Sequence, residues 1–346
     1  MKDVFLLFAV GLASFQFATF EGHAQVKEPL TLIQTIELQE VPTFPFAGDL
    51  LLDMKGHRLF AAMQGAKSVM VIDVNTGKVI HKIPVEYPHT VLYLENLDQL
   101  YVTDQGSTEH NLKIFDARDY HLVKTLKLQA RPDAGEYDPH SKYFYVDNGG
   151  AAANLDYSLI SIVDTTKGEP VGDIKIPAKT LEAMVLEDSS SRLYVNIRDK
   201  DQVALVDRDK RTFLEAWAIT KGKSPAAIAL DEKHHRLFVG CRSSDMHGNI
   251  VVFDTQTGHE IDSLPIGGMV DDLVFDAASG QLYASCGSGE VDVYQQRAPD
   301  DYVLLGKAVT GIMARSGLLV PELHRYYVSV PSIGTQSAKI LVYGTQ

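Results

Sequence analysis

The chain has 346 residues, 45% of them hydrophobic, with 45 acidic against 32 basic side chains and a formal net charge of −13 at pH 7. That balance argues against nucleic acid or an anionic membrane as a partner, because both reward clustered Lys and Arg. Two cysteines, Cys241 and Cys286, are too few for a disulfide-built scaffold, so an apolar core must hold the fold.

Taken in chain order, Lys2 precedes an apolar run from Val4 to Phe20 and a polar stretch ending in small residues at Ala24. Residues 1–24 therefore have the layout of a secretory signal peptide, with an apolar run short for a membrane anchor. Cleavage before Gln25 predicts an exported protein, periplasmic or secreted, in which residues 25–346 form a single domain. Removing Lys2, Asp3 and Glu21 leaves a net charge of −12, and no later segment is long and apolar enough to span a membrane. Leu32–Leu38, "LIQTIEL", reads as a lone strand with no partner strands before it.

A phrase then recurs. Its anchor is a pair of apolar or aromatic residues at Leu59-Phe60, Leu100-Tyr101, Phe144-Tyr145, Leu193-Tyr194, Leu237-Phe238, Leu282-Tyr283 and Tyr326-Tyr327, spaced by 41, 44, 49, 44, 45 and 44 residues. Short β-rich runs at such a period are the mark of propeller blades. Within the unit that begins at Ala226, four strands follow one another as "AAIAL", "RLFVGC", "NIVVFD" and "EIDSLPI", here called a to d. Turn tokens such as "NTG", "TTKG" and "QTG" join c to d. The seventh unit stops after "KILVY" without a strand d, and "LIQTIEL" matches the strand d "LVKTLKL" of another unit position by position. The fold class expected is all-β: a seven-bladed β-propeller of four-stranded antiparallel blades, with the N-terminal strand completing the last blade. Leu32, Ile36 and Leu38 are the residues expected to be buried on closure.

Units of the form "LYV…(I/V)(V/F)D…TG", with "LYVTD" at Leu100–Asp104 and "LYVNI" at Leu193–Ile197, resemble the YVTN-type, YncE-like seven-bladed propellers of exported bacterial proteins. The resemblance covers nearly all of the mature chain. It implies the same fold and a polar ring around the central channel, with "PDA", "VDD" and "MARS" looking like the family's ring segments. The family's Pro-Asp-Gly after strand a has become "DMKG", "DPHS", "DEKH" and "DAAS".

Catalytic signatures are missing: there is no G-x-S-x-G, H-E-x-x-H, C-x-x-C or phosphate loop, and "GSGEVD" at Gly287 falls between strands b and c as a hairpin turn. His57, His140, His234, His235 and His324 belong to turns between strands a and b. The pairs Asp199/Asp201 and Asp207/Asp209 resemble calcium loops but lack the glycine and distal glutamate such loops need. Asp73, Asp116, Asp164, Asp207 and Asp254 end strand c, where a turn favours Asp. Cys241 and Cys286 occupy equivalent points of neighbouring blades, too far apart to pair, and are expected to be free thiols.

One set stands out. Eleven residues before each anchor the chain reads Gly48, His89, Asp133, Glu182, Ala226, Asp271 and Arg315, with Asp49 and Asp272 adjoining. These positions open the innermost strand at the mouth of the channel, with Arg315 expected as its one permanent cation. The expected function is binding of a small polar or anionic ligand, or a partner protein, at that face by a monomer that is not an enzyme. Nothing in the sequence names a metal or cofactor. The alternatives are a metal-dependent hydrolase or quinone-linked dehydrogenase at the same face, with His89, Asp133 and Glu182 as metal ligands, or a scaffold or surface-layer protein.

Overall fold

Why the repeat folds as it does is clearest in the fifth unit. Strand b (Arg236–Cys241) is buried along nearly its whole length, and strand c (His247–Asp254) along its apolar half. Both read as continuous apolar runs because neighbouring blades cover both faces. Strand d (Glu260–Gly267) is half-exposed, as befits an outer edge. Asp254 ends strand c and accepts the backbone N–H groups of Gln256 and Thr257, both at 2.9 Å, ahead of Gly258 at φ +71°. Asp73, Asp116, Asp164 and Asp207 make the same turn bond in their own blades. The turns between a and b carry a left-handed residue two before the anchor, a role taken by His57, Asp98, Lys142, His235 and His324. His57, His235 and His324 are thus accounted for by backbone geometry, and His234 Nδ1 lies 2.7 Å from Asp231 Oδ2.

The structure is a computed structural model that describes residues 28–106, 110–244 and 246–345; the expected signal peptide lies outside them. It contains seven four-stranded antiparallel sheets and, among the described residues, no α-helix. The innermost strands, in order around the ring, are Leu50–Asp53, Pro88–Leu94, Arg131–Asp138, Leu181–Leu186, Pro225–Asp231, Val270–Asp276 and Ser316–Val320. Each touches the innermost strands of both neighbours, including the last against the first, so the ring is closed. Seven buried apolar clusters lie one to each interface between adjacent blades. No helix among the described residues is long and apolar enough to cross a membrane.

The N-terminal strand, Leu30–Glu37, pairs antiparallel with Lys339–Thr345 and completes the seventh blade as expected. One detail differs. A register shift lies between Leu32 and Gln34; Leu32 is 52% exposed, while Leu30 is buried at 2% against blade six, and Ile36 and Leu38 are buried against blade one. Both cysteines are free and buried.

Candidate functional site

The innermost strands are irregular where it matters. In blades two to six the pairing of a with b shifts register near the start of a, between Pro88 and Val91, Pro132 and Gly135, Leu181 and Met184, Pro225 and Ala227, and Val270 and Asp272. Such bulges bend a strand and re-aim its side chains. Here they coincide with the position eleven before the anchor. His89, Asp133, Glu182, Asp271 and Arg315, with Asp49 and Asp272, line one central cavity of about 880 Å³. Gly48 serves another purpose: a Cβ there would stand 2.5 Å from the His89 carbonyl oxygen, and its absence lets Asp49 N–H donate to that carbonyl at 3.0 Å.

The expectation of a single cation is corrected by the structure. Arg131, Arg198, Arg242 and Lys179 line the same cavity as Arg315. Arg198 and Arg242 come five residues after their anchors, where strand b ends, and Arg131 lies two before Asp133, positions that a count of eleven back from each anchor does not reach. The same positions in other blades supply Gln64 and Tyr87.

Most of these groups already serve one another. Arg131 donates to Gln105 Oε1 through Nε at 2.9 Å and Nη2 at 2.5 Å, and Gln105 donates to Asp133 Oδ1 at 2.5 Å. His89 Nε2 is 3.1 Å from the same Asp133 oxygen. Arg198 donates to Glu182 Oε1 at 2.9 Å and Ser224 Oγ at 3.0 Å. Arg242 donates to Asp271 and, at 2.9 Å, to the Val270 carbonyl, with Glu182 Oε2 at 3.7 Å. Burial lowers the Arg242 pKa to about 10, which leaves it charged at neutral pH. Although burial opposes it, His89, Arg131 and Gln105 hold the Asp133 carboxyl below its ordinary range.

Three acids lining the cavity behave differently. Burial, reinforced by Asp49, pushes Asp272 up to about 7, and burial raises Asp49 as well. Glu136, further along the third innermost strand, is pushed up to about 8 by burial and by Asp188. None of the three has a cation within ion-pair distance among the described residues; Asp272 accepts the Gly317 N–H at 2.8 Å.

His89, Asp133 and Glu182 do not form the metal site weighed from the sequence. Their ligand atoms do not gather within reach of one ion, because Glu182 is drawn to Arg198 and Arg242 while Asp133 is drawn to His89 and Gln105. Among the described residues the group that does gather is Asp116, Asp119 and His121, away from the cavity, and Asp116 there is paired with Arg118. Asp199 and Asp201 are spent on backbone N–H groups of Thr180 and Ser224 at 3.0 and 2.7 Å.

No family model matches the chain. The protein YncE of Salmonella typhi is 31% identical over 98 residues, 28% of this chain and 27% of that protein. Its counterpart from Salmonella typhimurium is 30% identical over the same shares. The matched stretch thus covers about a quarter of the length of these curated relatives. The chain is a seven-bladed β-propeller that is similar to YncE over this stretch. The ring also superposes on solved propellers. A chain of hydrazine synthase from Kuenenia stuttgartiensis aligns with a TM-score of 0.69 at 18% identity over 84% of this chain and 95% of that one. A chain of the mitotic checkpoint complex aligns at 0.71 and 11% identity over 99% of both. At such identities the likeness shows the fold alone.

Proposed function

We propose that this protein binds a small polar ligand in its central cavity, as a non-catalytic propeller exported to the periplasm or beyond the cell. One observation carries the binding reading: strands from seven separate blades converge charged side chains on a cavity of about 880 Å³, within the size range of small-molecule sites. Of the acids lining the cavity, Asp133, Glu182 and Asp271 are bound to arginines or to Gln105, which favours recognition over metal binding by these three. The location rests on the sequence of residues 1–24.

A thermal-shift screen of the purified protein against a library of polar metabolites tests the binding reading. At least one compound should raise the melting temperature, by mass action, in parent protein but not in Arg315→Lys. A library that shifts neither, or both equally, would return the cavity to a water-filled lining. Cell fractionation with N-terminal sequencing tests the export reading, with Gln25 as the expected first residue.

A further inference from the structure

Satisfaction is uneven around the cavity wall. On blades three to five the arginines and acids are mutually bonded, as described above. On blades six, seven, one and two, where Asp271 and His89 reach partners on the neighbouring blades five and three, several other groups are not. The Arg315 guanidinium stacks on Phe46 with its centre 4.9 Å from the ring centroid, and its Nε stands 2.8 Å from Asp271 Oδ2 without the alignment of a hydrogen bond. The side chain is only 12% exposed, so it is held in place with donors unused. Gln64, 5% exposed, lines the same wall with Oε1 buried and unpartnered. His89 Nδ1 is buried and unpartnered too. Asp272 of the sixth blade interacts with Arg315 and with Asp49 of the first, and neither acid has a cation within ion-pair distance among the described residues.

The inventory is therefore one planar donor, ion-paired to Asp271 through Nε but not hydrogen-bonded there, beside a set of acceptors. A buried acceptor without a donor costs about 1–3 kcal/mol, and the half-buried Asp49 and Asp272 have no cation within ion-pair distance among the described residues. A simple anion would use Arg315 but meet Asp49 and Asp272 as repulsion. A simple cation would use the acids and leave the guanidinium idle. Building on the binding reading above, we propose that the ligand is a small zwitterion, an amino acid or short peptide, whose carboxylate is gripped by Arg315 and whose ammonium faces Asp49, Asp272 and Gln64 Oε1. Arg suits the first task because its fork meets both carboxylate oxygens.

Proton linkage follows from the groups facing the acids. Asp272 is faced by Asp49 of blade one, His89 of blade two and Arg315 of blade seven, beside its own neighbour Asp271; Asp49 is faced by His89 and Thr90 of blade two and by Asp133 of blade three. Near pH 7 part of the Asp272 population carries a proton. An ammonium arriving beside it favours the carboxylate, so binding releases protons and tightens as pH rises through about 7.

The test uses isothermal titration of the mature protein with the twenty L-amino acids and the glycyl dipeptides, in two buffers of different ionisation enthalpy. At least one probe should bind below 10 mM with net proton release. Its deamino acid and its decarboxylated amine should each bind about ten- to a hundredfold more weakly, the worth of a charged hydrogen bond. Arg315→Lys should weaken the zwitterion by a similar factor, and Asp272→Asn should do so while reducing the proton release. Asp49→Asn repeats the measurement should Asp272→Asn fail to fold. Equal affinity for the deamino acid, or proton uptake on binding, overturns the zwitterion in favour of an anion. Failure of every probe overturns it outright, while a shift by some other metabolite in the screen above leaves the binding reading standing.

Discussion

Glu136 concentrates the electrostatics of the cavity in one side chain. Its carboxyl, pushed up to about 8 by burial and by Asp188, takes up a proton on folding at any pH between the ordinary carboxylate range and that value. The native state then binds more protons than the unfolded chain, so stability falls as pH rises through that window and levels above about 8. Asp272 acts in the same direction up to about 7. Glu136→Gln should therefore melt about 1–3 °C above the parent at pH 8.5 and level with it near pH 5; an equal offset at both would show that titration is not the cause. The cysteines give a second expectation. Burial pushes Cys241 up to about 12 and Cys286 well above its ordinary value, so neither should react with a thiol reagent in the native protein. Two thiols per chain should titrate in denaturant without reductant, and fewer would indicate a bond or modification. At this scale much of the site was legible: counting back eleven from the anchors reached His89, Asp133, Glu182, Asp271 and Arg315 directly. Arg198, Arg242 and Gln64 were equally countable, five after the anchor, but the end of strand b reads as an ordinary turn until the ring is assembled. Which groups are left unsatisfied could not be read at all, since it depends on side chains from blades remote in sequence.

Strand parity explains the main misreading. In a regular strand Leu32 and Ile36 share a face, and the alternation predicts that both are buried. The irregularity between Leu32 and Gln34 moves Leu30 and Leu32 together to the face opposite Ile36, where Leu30 is buried against blade six and Leu32 is left in solvent. Leu30→Ala should cost about 2–5 kcal/mol, whereas Leu32→Ala should stay within about 0.5 kcal/mol of the parent. Chemical denaturation of the two variants decides it, and equal losses would mean that Leu32 is buried as well. The bulges that open the innermost strands are likewise silent in sequence, yet they are what aim acids into the channel.

At the level of the ring, the architecture was the most legible part, because a period of about 44 residues survives sequence divergence that erases individual turn motifs. Closure makes every blade interface nearly equivalent, and Leu30 lies directly opposite Thr345 in the seventh sheet. A two-residue turn joining them would make an ordinary hairpin. Reopening the circular chain after Asp209, in the turn before the outer strand Thr212–Ala218, would move the composite blade from seventh to fourth. Such a permutant should fold and melt within about 3 °C of the parent. A much larger loss would mean that the seventh blade is specially suited to being shared.

The composite blade also sets a timetable. Ser337 Oγ donates to Glu37 Oε2 across 300 residues of chain, so the strand that leaves the ribosome early must wait for nearly the whole protein to be synthesised before its partner exists. Until then its backbone donors and acceptors are an open invitation to any other strand. Birth order therefore makes the last blade both the final step of folding and the interval in which the nascent chain is most exposed to mispairing.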